Sequence, residues 1–142
     1  MVALDTNLLV YAHRSSVAQS DAARAAITTA ARNPDGWGFS LAVVLEFWSV
    51  VTHPAAPRPS TSDEAAGFLA ALESAGARVW VPGSGFSRRV MQLAAAQSIP
   101  GPRIFDLQIA LTAFEGGARE LWTADSKFVS VPGLPVVFPL AP

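Results

Sequence analysis

Residues 2–12 read VALDTNLLVYA, and the reading of this stretch decides the fold. Val2, Ala3 and Leu4 form a short apolar run that stops at Asp5. A run of this kind predicts a buried strand with the carboxylate at its carboxyl end. Leu8 to Tyr11 then resumes an apolar pattern, read as a helical turn. The same order returns near the other end in LWTADSKF, residues 121–128, where Leu121 to Thr123 reads as a strand ending near Asp125.

Between these two segments, strand and helix signals alternate. Alanine-rich Ser20 to Arg32 is a helix by propensity, and Asn33-Pro34-Asp35-Gly36 is a turn. Trp37 to Phe39 reads as a second strand. Ser40 reads as the N-cap of an apolar helix, Leu41 to Thr52, which Pro54, Pro57 and Pro59 end. Ser62 is a second candidate cap, with Asp63 and Glu64 in the favourable first turn. Ala65 to Ser74 continues that helix until Gly76. Val79 to Val81 is a third strand, Phe86 to Gln97 a helix, and Ile104 to Phe114 a helix apolar on most faces that Gly116-Gly117 stops. Val136 to Phe138 is a last short strand. The alternation predicts an α/β domain over residues 1–142, a central parallel sheet with helices on both faces. Ligands in such sheets bind beyond the carboxyl ends of the strands, where Asp5 and Asp125 both fall.

At 142 residues the chain has the size of one domain. Hydrophobic residues make up 51% and charged residues only 15%, so part of the apolar surface is expected to lie under another chain, unless alanine-rich helices account for the count. Cysteine is absent, which excludes disulfides, thiolate metal sites and a cysteine nucleophile. The opening carries no basic segment before its apolar run and reaches a carboxylate at Asp5, so it makes a poor signal peptide. No apolar run approaches a bilayer's thickness. A cytoplasmic protein without a membrane contact is the expectation. The net charge of −1 denies the chain the broad basic footprint of a tight nucleic-acid binder. Arg88, Arg89 and Arg103 are the candidates for a local basic patch.

Two carboxylates sit oddly. Glu46 lies within LAVVLEFWSVV with apolar neighbours on every side, and Asp106 lies within RIFDLQIALTAF in the first turn of an apolar helix. An ionised carboxylate in such a setting needs a hydrogen bond, a counter-charge or a metal. Each acid has an ordinary alternative: Asp106 as a helix-start residue, Asp125 as a turn former, Asp5 as a cap for the next helix, Glu46 as a half-exposed residue. One shared site explains all four together. If Asp5, Glu46, Asp106 and Asp125 converge, their repulsion is relieved by protonation or by a divalent ion. Oxygen-only ligation suits Mg2+, with Mn2+ as substitute. Such an ion orients a phosphodiester and activates a water, so no covalent nucleophile is needed. Neither His13 nor His53 is placed as a conventional base. Trp37, Trp48, Trp80 and Trp122 are better read as core than as base-stacking platforms.

The motifs resemble those of PIN-domain nucleases. LDTNLLVYA is similar to their first motif, SLAVVLEFWSVVTHP to the second around Glu46, RIFDLQIALTA to the third around Asp106, and LWTADSKF with PGLPVVFPL to the fourth and the terminal strand. Each is weak alone, but they occur in order over nearly the whole chain. The chain most resembles the VapC-type toxins of bacterial toxin–antitoxin modules. The resemblance implies a Mg2+- or Mn2+-dependent endoribonuclease with Asp5, Glu46, Asp106 and Asp125 as metal-binding catalytic acids. Thr6, Asn7 and Arg103 are the candidate substrate-binding residues. The resemblance also implies a homodimer and a cognate VapB-type antitoxin whose C-terminal segment covers the site. One position departs: many relatives carry a second acid two residues after the first in the fourth motif, and here Lys127 stands there, leaving one metal or two open. Alternatives are a PIN nuclease of RNA maturation or decay and a PIN-like RNA-binding module without turnover. A receiver-type phosphoacceptor domain would need an acid pair early in the chain, where only Asp5 stands.

Overall fold

The structure is a computed structural model that describes all 142 residues. The strands are β1 (Val2–Leu4), β2 (Trp37–Ser40), β3 (Arg78–Trp80), β4 (Glu120–Trp122) and β5 (Val136–Val137). The helices are α1 (Thr6–His13), α2 (Ser20–Ala31), α3 (Leu41–Val51), α4 (Ser62–Ser74), α5 (Phe86–Ala96) and α6 (Arg103–Glu115). All strand pairs are parallel, in the order β3-β2-β1-β4-β5. The expected α/β fold with a central parallel sheet is thus present, with every expected strand found within a residue or two of its predicted bounds.

The sheet's centre follows from its sequence. All three residues of β1 and all four of β2 are buried. A central parallel strand is covered on both faces and reads as an unbroken apolar run rather than as an alternation. Leu4, Phe39 and Leu121 come from three neighbouring strands and are fully buried. Leu8 and Leu9 of α1, Phe47 of α3 and Leu107 of α6 close over them. The chain leaves β1 toward β2 and β3 in one direction, then crosses back to β4 and β5 in the other. Right-handed crossovers therefore place the two sets of helices on opposite faces. Helix α1 lies against α2 and α3, and α3 against α4, while α5 lies against α6; the two sets also meet, α3 against α6. The reversal between β1 and β4 opens a crevice at their carboxyl ends.

Two cap assignments need correction. Helix α4 is capped by Thr61, not Ser62: the Thr61 hydroxyl accepts from the Glu64 N–H at 3.1 Å and Glu64 accepts from the Thr61 N–H at 3.1 Å, a complete capping box. Ser40 holds the N-cap position of α3, but its hydroxyl donates to the Ile109 carbonyl at 2.8 Å instead of capping. It thereby ties the end of β2 to α6.

Gly38 pairs with Ala3 on one side and Arg78 on the other. A Cβ there would collide with the Arg78 backbone, so the close approach of β2 and β3 requires glycine. We predict that Gly38→Ala lowers unfolding stability by about 2–3 kcal/mol or more. Gly67→Ala, in open space within α4, should instead raise it by about 0.5–1 kcal/mol. Urea denaturation of the two variants checks both signs.

Candidate active site

Asp5 follows β1 directly and is buried, 7% exposed, at the floor of the crevice. Its Oδ1 accepts the Thr6 N–H at 2.8 Å, and its Oδ2 accepts the Thr123 hydroxyl at 2.7 Å. Asn7 donates to the same Oδ2 at 3.2 Å and to Thr123 Oγ1 at 3.0 Å. Its own Oδ1 accepts the Ala124 N–H at 3.0 Å. Thr123 also accepts the Asp125 N–H at 3.0 Å. The carboxyl ends of β1 and β4 are therefore laced together by side chains, and the turn carrying Asp125 is fixed relative to Asp5. Thr123, fully buried, is the hub of this lacing and was not singled out from the sequence. Its one signal there is a polar residue closing an apolar strand.

Asp5, Glu46, Asp106 and Asp125 all line one cleft of about 310 Å³, together with Thr6, Asn7 and Tyr11. Two expectations about them change. Glu46 is exposed, not enclosed by its apolar neighbours, because the face of α3 that carries it points away from the sheet. Leu45 at 62% and Trp48 at 38% exposure lie beside it in sequence. Second, Arg103 does not join Arg88 and Arg89 in a free basic patch. Arg103 Nη1 donates to Asp106 Oδ2 at 2.9 Å and to Asp125 Oδ2 at 3.1 Å. Arg89 is held by Glu115 through two bonds, at 2.6 and 2.8 Å. Trp37 and Trp80 are core, as expected, while Trp48 and Trp122 are partly exposed. His13 lies outside the cleft, with Nε2 2.8 Å from Ser60 Oγ and its ring edge-on to Phe47 and Phe68.

The cleft's electrostatics follow from this placement. Burial pushes the Asp5 carboxyl up to about 6, against the bonds from Thr123 and Thr6 and with help from the charges of Glu46 and Asp106. Asp125 is held below the usual carboxylate range, first by the Lys127 N–H on its Oδ1 at 2.9 Å and then by Arg103. At the departing fourth-motif position, the Lys127 backbone thus steadies Asp125 while the residue itself is exposed. The donor set offered to a ligand is oxygen only, and the buried Thr6 hydroxyl has no partner. That chemistry fits Mg2+ or Mn2+. As placed, no three of the acids are gathered closely enough to cage one ion.

The raised pKa of Asp5 has a stability consequence. The folded state binds the proton more tightly than the unfolded chain, so folding loses stability as pH rises from about 4 through about 6. In chelator, Asp5→Asn should therefore unfold at higher denaturant than the native chain at pH 7.5, by about 1–2 kcal/mol. The gap should close toward pH 4. Parallel denaturation curves at the two pH values test it, and a gap that widens on acidification would refute it.

Known proteins share this fold. A family model for the PIN domain matches residues 2–134. No curated protein is significantly similar to the chain in sequence. Among solved structures, VapC20 of Mycobacterium tuberculosis, described as a Sarcin-Ricin loop cleaving toxin, superposes with a TM-score of 0.69 at 14% identity, over 90% of this chain and 92% of that one. VapBC2 of Rickettsia felis, bound to a DNA fragment from their promoter, gives 0.70 at 22% identity, over 96% and 98%. FitAcB of Neisseria gonorrhoeae gives 0.63 at 16% identity, over 98% of each chain. A parallel sheet whose two central strands deliver acids to one crevice, and a match over nearly the full length, lead to one conclusion: the chain belongs to the PIN domain family.

Proposed function

We propose that the chain, working as a single domain over residues 1–142, is a Mg2+- or Mn2+-dependent endoribonuclease and the toxin of a toxin–antitoxin pair. One observation carries the reading: Asp5, Glu46, Asp106 and Asp125, from four separate segments, line the same cleft at the point where the strand order reverses. The description of the structurally similar VapC20 as a Sarcin-Ricin loop cleaving toxin supports the assignment to RNA cleavage.

In this reading the four acids hold the divalent ion, which when bound polarises the phosphodiester, activates a water and stabilises charge on the departing oxygen. The protein's own groups do the rest. Asp5 is the fixed reference, oriented by the Thr6 amide and the Thr123 hydroxyl. Asn7 keeps the β1 and β4 ends in register, so that Asp125 faces Asp5. Glu46, exposed at the rim and free of any ion pair, would add its carboxylate to that set from α3.

Partners follow from the surface. Leu41, Leu45, Trp48 and Val50 are exposed on the helix that carries Glu46. An antitoxin of the VapB type, laid across that face, would bury them and cover the cleft together. Met91 and Phe105, exposed on the adjoining α5 and α6, support a homodimer contact. No helix is long and apolar enough to cross a membrane, and we place the activity in the cytoplasm with its RNA.

Purified bacterial RNA incubated with Mg2+, Mn2+ or chelator tests the reaction. Discrete fragments are expected with either metal and none with chelator. Asp5→Asn and Asp106→Asn should each lose more than the roughly 10–100-fold that removal of an outer-shell group costs. Cleavage that survives chelation would overturn the metal-dependent mechanism. The alternative, an RNA-binding module without turnover, is favoured by the acids' not being caged and by Lys127; metal binding and RNA binding with no cleavage would select it. Thr123→Val, nearly isosteric, should keep the fold yet lower cleavage by about 10–100-fold, because Asp5 and Asp125 lose their common partner.

A further inference from the structure

One nitrogen serves two carboxylates in this cleft. Arg103 Nη1 donates to Oδ2 of Asp106 at 2.9 Å and to Oδ2 of Asp125 at 3.1 Å. The two acids come from different segments, the first turn of α6 and the turn after β4, and both line the cleft. Without a cation between them they would repel each other. Arg103 supplies that charge from within the chain.

We propose that Arg103 is an internal counter-ion that competes with the divalent cation for Asp106 and Asp125, and so sets the cation concentration at which the cleft fills. The proposal rests on the reading of the four-acid cleft as a metal site. The contact is suited to exchange. The Arg103 side chain is 36% exposed and that of Asp125 38%, so water screens the pair and can replace it. Asp106 keeps a second hold on the loop through the Val129 N–H at 3.3 Å, and Asp125 keeps the Lys127 N–H, so neither acid is cast loose when Arg103 leaves. A compact divalent ion carries twice the charge of the guanidinium and prefers carboxylate oxygen. The competition also accounts for the uncaged acids: two of them are drawn to a nitrogen on α6 rather than to a common centre.

Mn2+ alone, titrated into the chelator-treated full chain and followed by loss of the free-ion paramagnetic resonance signal, tests this without any turnover. Arg103→Ala and Arg103→Gln should each bind Mn2+ about 3–10-fold more tightly than the native chain, the scale set by two screened ion pairs. Arg103→Lys, which keeps the charge, should stay close to native. A residue that merely braced α6 against the β4 turn would give the opposite result, since its loss would scatter the ligands and weaken binding. Mn2+ binding by the native chain with equal or weaker binding by both neutral variants, each shown folded by its thermal melt, overturns the role of Arg103 and leaves the metal site standing. Absence of Mn2+ binding in the native and both neutral variants overturns the metal site and the proposal together.

Discussion

The contact between Asp5 and Thr123 holds the rest of the site in place. It joins the ends of the two strands between which the chain reverses its direction across the sheet, and it is buried. A carboxylate enclosed by protein is expensive unless its lone pairs are occupied. Here a backbone N–H, a hydroxyl and an amide occupy them, and two of these groups also hold the neighbouring strand. These few atoms offset part of the cost of burying the charge, and the same atoms hold β1 to β4. Asp125 inherits its position through Thr123, and Asp106 is positioned relative to Asp125 through Arg103. Only Glu46 stands outside this chain of contacts, on a helix that is anchored by its other face.

Much of the fold was legible because both of its central strands are covered on two sides, so apolar runs and strands coincide. Asp5 was legible for the same reason: a carboxylate that closes the buried run of β1 has nowhere to go but the sheet's rim. Cap positions were less so, because Ser60, Thr61 and Ser62 offer three equivalent hydroxyls and only the reach of Glu64 selects among them. Glu46 was misread in one respect. Hydrophobic neighbours in sequence announce that something will cover a helix face, not that this chain will do it. Leu45 and Trp48 are apolar without being core.

Arg103 shows a different limit. Three residues before Asp106 on a helix, it was placed to pair with that acid. Its second bond, to Asp125 across 22 positions, depends on how α6 enters beneath the β4 turn, which no local pattern encodes. The expected local basic patch failed in the same way. The arginines looked like a patch for phosphates, yet Arg89 and Arg103 are each taken up by acids of this chain.

The strands are two to four residues long. At about 3.3 Å per residue, β1 spans roughly 10 Å from its first residue to Asp5. No inert depth of sheet separates the packed interior from the reactive rim. Leu4 precedes Asp5 directly, and Leu121 is two residues from Thr123, so a shift in either reaches the carboxylates across one or two residues of backbone. In most enzymes a mutation deep in the interior can drift toward greater heat tolerance without being felt by the chemistry. In so shallow a sheet the two properties are written on the same residues. Lineages of this chain that adapt to new temperatures would have to do so at the outer helices and loops, leaving the short central strands as the part least free to change.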